Sequence, residues 1–174
     1  MTQAEELFDV VDGEDRVLRV MPRSEVHRRR LRHRAVHIFV RRSDGQLLIH
    51  KRSTTKEEFP GVWTSSASGH VAAGESYVSA ARRELTEELG ISGQLIRLSK
   101  FAACEDTCFE FTELYGVHSD QTIQHDPVEI AAIRWTTLQD VASWISRRPE
   151  DFSPAFRLLI RWYQHHEGAG QSAE

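Results

Sequence analysis

The 174-residue sequence predicts an α/β sandwich with a mixed β-sheet and an N-terminal β-hairpin. Short strand-like runs alternate along the chain with segments of helical hydrophobic spacing, which favours helices on both faces of one sheet. The length suits one domain with an appended element, and 40% hydrophobic and 28% charged residues are ordinary for a globular protein. We expect an N-terminal hairpin extension over 1–22, the main domain over 23–167 and a flexible tail over 168–174.

The predicted strands begin with a hairpin over residues 7–20, where LFDVV and RVLRV flank the turn-rich tetrapeptide DGED. AVHIFV (35–40) and QLLIHKR (46–52) are joined across SDG, which is a second hairpin signal. Three further extended segments are predicted at about 94–103, 107–118 and 130–135.

The first long helix is predicted within GHVAAGESYVSAARRELTEELGI, residues 69–91. Ser76 is a suitable N-cap, and Gly90 stands where a left-handed C-cap is favoured. The apolar stripe expected to face the sheet consists of Val78, Ala81, Leu85 and Leu89.

Two more helices close the chain. Thr137 with Asp140 three residues later resembles a capping box. Ser153 followed by Pro154 is a cap and a first-turn proline. The stripe of the last helix is Phe156, Leu159, Ile160 and Tyr163.

Charge and composition exclude several classes of protein. The net charge of −4 argues against a general nucleic-acid binder, and no apolar run approaches the roughly 20 residues that span a bilayer. The acidic N-terminus has no signal-peptide pattern, and two cysteines are too few for a disulfide framework, so we expect a reducing cytoplasm. On a strand, Cys104 and Cys108 would share one face as small core or near-core residues. The arginines from Arg28 to Arg34 fit a solvated helix face and a phosphate clamp equally well.

Three glutamates, Glu84, Glu87 and Glu88, crowd one face of the first long helix, where each like-charge pair costs roughly 0.2–0.5 kcal/mol. Alone they indicate an acidic surface, but Gly69 and Glu75 precede them at a fixed spacing. The full set of matching positions is Gly69, Glu75, Arg83, Glu84, Leu85, Glu87, Glu88, Gly90 and Ile91. This set resembles the Nudix box at every fixed position, which implies a Nudix-type α/β/α sandwich.

The Nudix resemblance implies a metal-dependent enzyme that acts on a small-molecule diphosphate. Mg²⁺ or Mn²⁺ would be held by Glu84, Glu87, Glu88 and the carbonyl of Gly69, and Arg83 would orient these carboxylates. Clustered carboxylates suit such cations because hard cations bind oxygen ligands and bridge them to substrate phosphates. The resemblance gives catalytic roles to Glu84, Glu87 and Arg83, with Glu84 as a possible base.

A second candidate for the base is Glu129, in the loop before the strand at 130–135, where some Nudix enzymes hold a catalytic carboxylate. A solvated loop acid is the alternative interpretation of this residue.

Outside the box, the run RHRAVHIFV to SGHVAAGES looks like the isopentenyl-diphosphate isomerase branch and its hydrolase-like relatives. His33 and His70 match histidines that bind a metal in the isomerases, and Glu113 matches an acidic metal ligand. Arg52 and Lys56 match basic residues that hold the diphosphate. These five residues are therefore the expected substrate-binding set.

Two departures favour hydrolysis over isomerisation. Ser68 stands where the isomerases need a cysteine, and a hydroxyl is a far weaker acid than a thiol. Phe111 occupies a second acidic position, whereas the hydrolase box is complete. The prediction is a hydrolase of nucleoside di- or triphosphates or nucleoside diphosphate derivatives. The alternatives are the isomerase and a non-catalytic nucleotide-binding module. We expect a monomer or a homodimer with the hairpin as a dimer element, and no nucleic-acid or membrane partner.

Overall fold

The computed structural model describes residues 5–170, so residues 1–4 of the predicted hairpin extension and 171–174 of the predicted tail lie outside it. The strands are β1 (Leu7–Val11), β2 (Val17–Pro22), β3 (His33–Arg41), β4 (Leu47–Arg52), β5 (Trp63–Thr64), β6 (Ala67–His70), β7 (Ile96–Phe101), β8 (Glu110–His118) and β9 (Ile130–Thr136). The helices are α1 (Arg23–Arg28), α2 (Tyr77–Leu89), α3 (Leu138–Arg147) and α4 (Pro154–Gly170), with a 3₁₀ turn at Pro149–Asp151. None of these helices is long and apolar enough to cross a membrane.

The main sheet is mixed and has β3 at its centre. Strand β3 runs parallel to β8 and antiparallel to β6, and β8 pairs in turn with β7. Strand β4 is antiparallel to β9 and β5, and it meets β3 only at Arg41 and Leu47. The predicted mixed sheet is confirmed, and its parallel pair places the start of β3 beside the start of β8.

Two hydrophobic cores lie on opposite faces of this sheet and make the sandwich. One core joins the buried face of α2 to Val36, Ile38 and Val40 of β3. The other joins α3 and α4 to Phe39 of the same strand, through residues that include Phe156 and Leu159. Alternate residues of β3 therefore face different cores, as expected for a strand buried on both sides. The predicted α/β/α sandwich is confirmed.

The helix ends follow local capping chemistry. The Ser76 hydroxyl accepts from the Ser79 amide at 3.3 Å, and Gly90 ends α2 in the left-handed region at φ +66°. Thr137 caps α3 by accepting from the Asp140 amide at 3.1 Å. The buried face of α2 is turned slightly from the prediction, because Ala80 is buried and Val78 remains 41% exposed.

The N-terminal hairpin of β1 and β2 is a separate two-stranded sheet that packs on the main domain. Phe8 of β1 is buried in a small cluster with Val10 and Val26 of α1. At the hairpin turn, Asp15 accepts from Arg34 Nε at 2.6 Å and from the Tyr77 hydroxyl at 2.8 Å, and it pairs with Lys100. The predicted hairpin is present, and the contacts of Phe8 and of Asp15 hold it on the rest of the protein.

The expectation for the two cysteines was wrong. Cys104 and Cys108 lie in the turn between β7 and β8 rather than on a strand, and Cys104 is exposed. Thr107 makes this turn because its hydroxyl bonds to both the amide and the carbonyl of Cys104. Helix α4 continues to Gly170, so the described part of the predicted tail is helical.

Candidate functional site

A cavity of about 520 Å³ opens between β6, α2 and the loop that joins β4 to β5, and charged side chains dominate its lining. The predicted site residues that line it are Arg52, Lys56, Gly69, His70, Arg83, Glu84, Glu87, Glu88 and Glu129. The structure thus brings together nine predicted residues from five segments of the chain. His33 and Glu113 are not part of this lining.

Gly69 on β6 is packed against Glu84 on α2. A Cβ atom at position 69 would lie 2.1 Å from Glu84 Oε1 and 2.2 Å from its Cδ, far closer than any van der Waals contact. Only glycine therefore allows the strand and the carboxylate to approach in this way.

Arg83 holds the carboxylates of this site in place. Its Nε and Nη2 donate to Glu75 at 3.1 and 3.0 Å, and its Nη1 donates to Glu84 at 2.6 Å and to Glu87 at 3.3 Å. Nη2 also donates to the His70 carbonyl at 3.0 Å, which ties α2 to β6. One guanidinium thus fixes the position of three carboxylates, as a planar, multiply donating group can.

Glu84 and Glu88 are carboxyl groups held away from water. Burial raises the pKa of Glu84 to about 7, although neighbouring Arg83 acts in the opposite direction. Burial, with repulsion from Glu84, raises the pKa of Glu88 to about 8, and this side chain accepts from the Ser68 amide at 2.9 Å. Both groups would bind a cation favourably, because a nearby positive charge offsets the cost of ionising them.

The two predicted basic residues make different contacts. Lys56 reaches into the cavity and forms an ion pair with Glu129. Arg52 donates instead to backbone carbonyls of its own loop, from Nε and Nη2 to Glu58 at 3.0 and 2.8 Å and from Nε to Phe59 at 3.2 Å. Arg52 therefore fixes the loop that forms one wall of the cavity.

A cluster of histidines adjoins the cavity at the start of β3 and β8. One ligand atom each from His27, His33 and His70 lies within 4.8 Å of the others, and Glu58, His70 and Glu110 form a second such group. The Nε2 atoms of His70 and His33 lie 3.0 and 3.6 Å from Glu110 Oε1. Imidazole and carboxylate atoms so arranged are suited to a transition-metal ion.

Charge in this cluster is balanced by His33 and Glu110. Burial alone would raise the pKa of Glu110, but His33 and His70 outweigh it and hold that pKa far below its usual value. Burial likewise opposes ionisation of His33, yet Glu110 raises the pKa of this histidine. His33 Nδ1 donates to the Leu31 carbonyl at 2.9 Å, so its Nε2 is the atom that faces Glu110.

The family model described as NUDIX domain matches residues 31–163, which include the glutamate helix, both cores and most of the cavity lining. The chain belongs to the Nudix family. The predicted enzyme class, a Nudix pyrophosphohydrolase acting on acid anhydrides, is confirmed at the level of the family.

Relatives of this Nudix protein carry two kinds of name. An isopentenyl-diphosphate Delta-isomerase of Serratia proteamaculans is 34% identical over 162 residues, which cover 90% of each chain. An uncharacterized Nudix hydrolase of Yersinia pestis is 31% identical over 159 residues, covering 90% of this chain and 85% of that protein. A crystal structure of a Deinococcus radiodurans protein, DR0079, superposes with a TM-score of 0.80 at 31% identity and covers 90% and 98% of the two chains.

Glu113 is the predicted site residue that this Nudix structure separates from the others. Its carboxylate accepts from the Tyr115 hydroxyl at 2.6 Å and pairs with Arg97 at 3.2 Å. Side chains on a strand alternate between faces, so residues three apart point opposite ways. Glu110, three residues earlier, is the acid of β8 that lies with the histidines.

Sequence reasoning missed three members of the site, namely His27, Glu58 and Glu110. Alternation of side chains along a predicted strand places Glu110 on the face opposite Glu113, and this pattern is a signal that could have found it. His27 lies on α1 and Glu58 lies on a loop, and no hydrophobic or motif spacing in the sequence indicated either residue.

Among the arginines from Arg28 to Arg34, Arg34 is anchored on Asp15, while Arg28 pairs with Glu25 and Arg30 pairs with Glu105. These three contacts are structural.

Proposed function

We propose that this Nudix protein is a Mg²⁺- or Mn²⁺-dependent hydrolase that splits the diphosphate bond of nucleoside di- or triphosphates or of nucleoside diphosphate derivatives. The observation that carries the proposal is the packing of Glu84 against Gly69, beside the buried Glu88 and the exposed Glu87. This arrangement concentrates three carboxylates at one wall of a cavity that also holds Lys56.

The residues present fit such a cation. Glu88 is buried and Glu84 is half-buried, and the pKa values of both are raised, which is a cost that a bound cation relieves. Glu84, Glu87, Glu88 and the Gly69 carbonyl would hold the metal, in line with the Nudix resemblance. When bound, the cation neutralises charge on the diphosphate and lowers the pKa of a coordinated water.

The protein's own groups position the substrate and move the proton. Lys56 faces the cavity and can contact the leaving phosphate, where negative charge develops. Arg83 keeps Glu84 and Glu87 in place. The proton of the attacking water passes to a carboxylate, and the two candidates on this cavity are Glu84 and Glu129. Glu129 is already paired with Lys56, so protonating it would break an ion pair.

The test is phosphate or nucleotide release from a panel of nucleoside di- and triphosphates, nucleotide sugars and dinucleotides with Mg²⁺ or Mn²⁺. Glu87→Gln is the diagnostic variant, because Glu87 is 60% exposed and we expect the fold to tolerate the change. Glu150→Gln, an exposed acid outside the cavity, is the matched control. We expect Glu87→Gln to lower kcat by at least 100-fold. Turnover by Glu87→Gln at the wild-type rate would contradict the metal-dependent mechanism.

The isomerase remains a second candidate, favoured by the histidine cluster and by the identity to isomerase-named relatives. Ser68 still argues against it, yet Cys108 lines the same cavity. Burial and nearby Glu110 raise the pKa of the Cys108 thiol to about 12, so it stays protonated. If isomerisation occurs, proton NMR of isopentenyl diphosphate with the protein would show loss of the terminal =CH2 signal and gain of a =CH– signal, and an unchanged spectrum would exclude it.

The histidine cluster would hold a second cation, bound by His33 and His70 together with His27 and Glu110. His33 and His70 match metal-binding histidines of the isomerase branch, and the clustered ligand atoms support the same role here. His70 and Glu110 also line the cavity, so an ion held there would contact the same substrate.

A further inference from the structure

We propose that Glu58, in the loop between β4 and β5, is a further ligand of the histidine centre, and that Arg52 positions it there. The inference rests on the second cation site proposed above, but it concerns a residue outside both the glutamate helix and the histidines. It makes one ligand of the centre depend on a surface loop.

The first observation is distance. One carboxylate oxygen of Glu58 lies within 4.8 Å of a ligand atom of His70 and of one of Glu110. Two donors bonded to one ion at about 2.1 Å can be at most about 4.2 Å apart, so these three atoms need to move only a few tenths of an ångström. Glu58 Oε1 is also 3.7 Å from His27 Nδ1.

The second observation concerns the imidazoles. The Nε2 atoms of His27, His33 and His70 are buried and have no hydrogen-bond partner among the described residues, and His33 is only 2% exposed. His70 Nε2 approaches Glu110 at 3.0 Å without hydrogen-bond geometry. Buried polar atoms normally find partners, so nitrogens that converge without them point to a ligand that accepts their lone pairs.

The third observation explains why Glu58 faces the centre. Arg52 is a half-buried side chain that grips the carbonyls of Glu58 and Phe59. Phe59 and Gly61 both adopt left-handed backbone, at φ +47° and +71°, which turns the loop sharply after Glu58. The hydrogen bonds from Arg52 and the turn together hold the Glu58 carboxylate near the histidines, so Arg52 is a positioning residue.

The donor set selects the kind of ion. Imidazole nitrogens with two carboxylates suit Zn²⁺, Co²⁺ or Mn²⁺, whereas Mg²⁺ prefers oxygen ligands alone. Glu58 and Glu110 together also match the charge of a divalent ion. The two proposed sites in this protein therefore differ in chemistry, which allows each to be titrated in the presence of the other's ion.

The test is titration with Co²⁺, followed by visible absorption, in millimolar Mg²⁺ that is added to fill the site proposed on the glutamate helix. We expect one equivalent of Co²⁺ to bind, and His33→Gln to abolish its absorption band. Glu58→Gln should weaken Co²⁺ binding at least tenfold and shift the band. Glu57→Gln is the matched control, because this neighbouring glutamate is exposed. The Glu57→Gln protein should bind Co²⁺ with the wild-type affinity.

Arg52→Lys tests the positioning role. It should weaken Co²⁺ binding about tenfold, the low end of what a supporting residue contributes. If Arg52 acts through Glu58, the double variant Arg52→Lys with Glu58→Gln should bind Co²⁺ no more weakly than Glu58→Gln alone. Additive losses would overturn the positioning role.

The role of Glu58 and the hydrolase activity are tested by different variants and different ions, so one can fail without the other. An unchanged band and affinity in Glu58→Gln would overturn the role of Glu58, and a band that survives His33→Gln would overturn the centre itself. Neither result touches the hydrolase, which is tested by Glu87→Gln with Mg²⁺. Thermal unfolding of each variant verifies that the fold is intact.

Discussion

Gly69 and Glu84 are packed so closely that a methyl group at position 69 would lie 2.1 Å from Glu84 Oε1. Gly69→Ala must therefore push the carboxylate away from the cavity wall. A displacement of about 1 Å at a catalytic group can cost about 100-fold in rate, and we expect a loss of that size in kcat/KM. Gly13→Ala is the control, because a Cβ at position 13 meets nothing within 4 Å. Equal activity of the two variants would contradict the role given to this contact.

Replacing Arg83 by lysine should disorder the carboxylates without removing the positive charge. Lysine cannot reach Glu75, Glu84 and Glu87 at once, because one ammonium replaces a planar fork of five donors. We expect Arg83→Lys to lower kcat 10- to 100-fold and to weaken Mg²⁺ binding. Arg82→Lys, on the exposed neighbouring position, should change neither. Steady-state kinetics across a Mg²⁺ series separates the two effects.

The glutamate helix was predictable because the residues that determine it are close together in the sequence. The caps Ser76 and Gly90 and the acids Glu84, Glu87 and Glu88 all lie within one helix, where spacing alone decides which side chains share a face. The same locality explains the capping of α3 and α4.

The histidine cluster was only partly predictable because it depends on strand pairing. His33 lies opposite Glu110 only because β3 and β8 run parallel in that register, and nothing in either segment alone fixes it. Glu58 depends on a loop conformation set by Arg52. The turn at Cys104 and Cys108 depends on one hydroxyl, that of Thr107, which redirects a segment with strand-like composition.

The anchor between the hairpin and the domain gives a pH-dependent stability. Burial alone would raise the pKa of Asp15, but Lys100, Arg34 and Tyr77 outweigh it and lower that pKa. A carboxylate with a lowered pKa stabilises the fold above its unfolded value near 3.8, and this contribution is lost as the pH falls through the folded pKa. We expect Asp15→Asn to lower the free energy of unfolding by about 1–3 kcal/mol at pH 7.

The difference between wild type and Asp15→Asn should shrink as the pH falls below 3.8, which urea unfolding at pH 7 and pH 3 would measure. Asp44→Asn, an exposed turn acid, is the control and should show a much smaller effect. A constant difference at both pH values would mean that the charge of Asp15 is not what anchors the hairpin.

His37 and His50 make the core sensitive to mild acid. Burial lowers the pKa of each histidine to about 4, from an ordinary value near 6.5. The unfolded chain therefore takes up protons at these positions before the folded protein does, so stability falls as the pH drops from about 6.5 towards 4. A shift of this size corresponds to about 3 kcal/mol for each histidine at the acid end.

Urea unfolding of the wild type at pH 7.5, 6 and 5 should show this decline, and His50→Asn should flatten it. Asparagine can keep the hydrogen bond that His50 Nδ1 donates to the Ser66 carbonyl at 3.0 Å, but it cannot titrate. His165→Asn, an exposed histidine on α4, should leave the slope unchanged. If wild type and His50→Asn lose stability in parallel, His50 is not one of the groups that take up protons on unfolding.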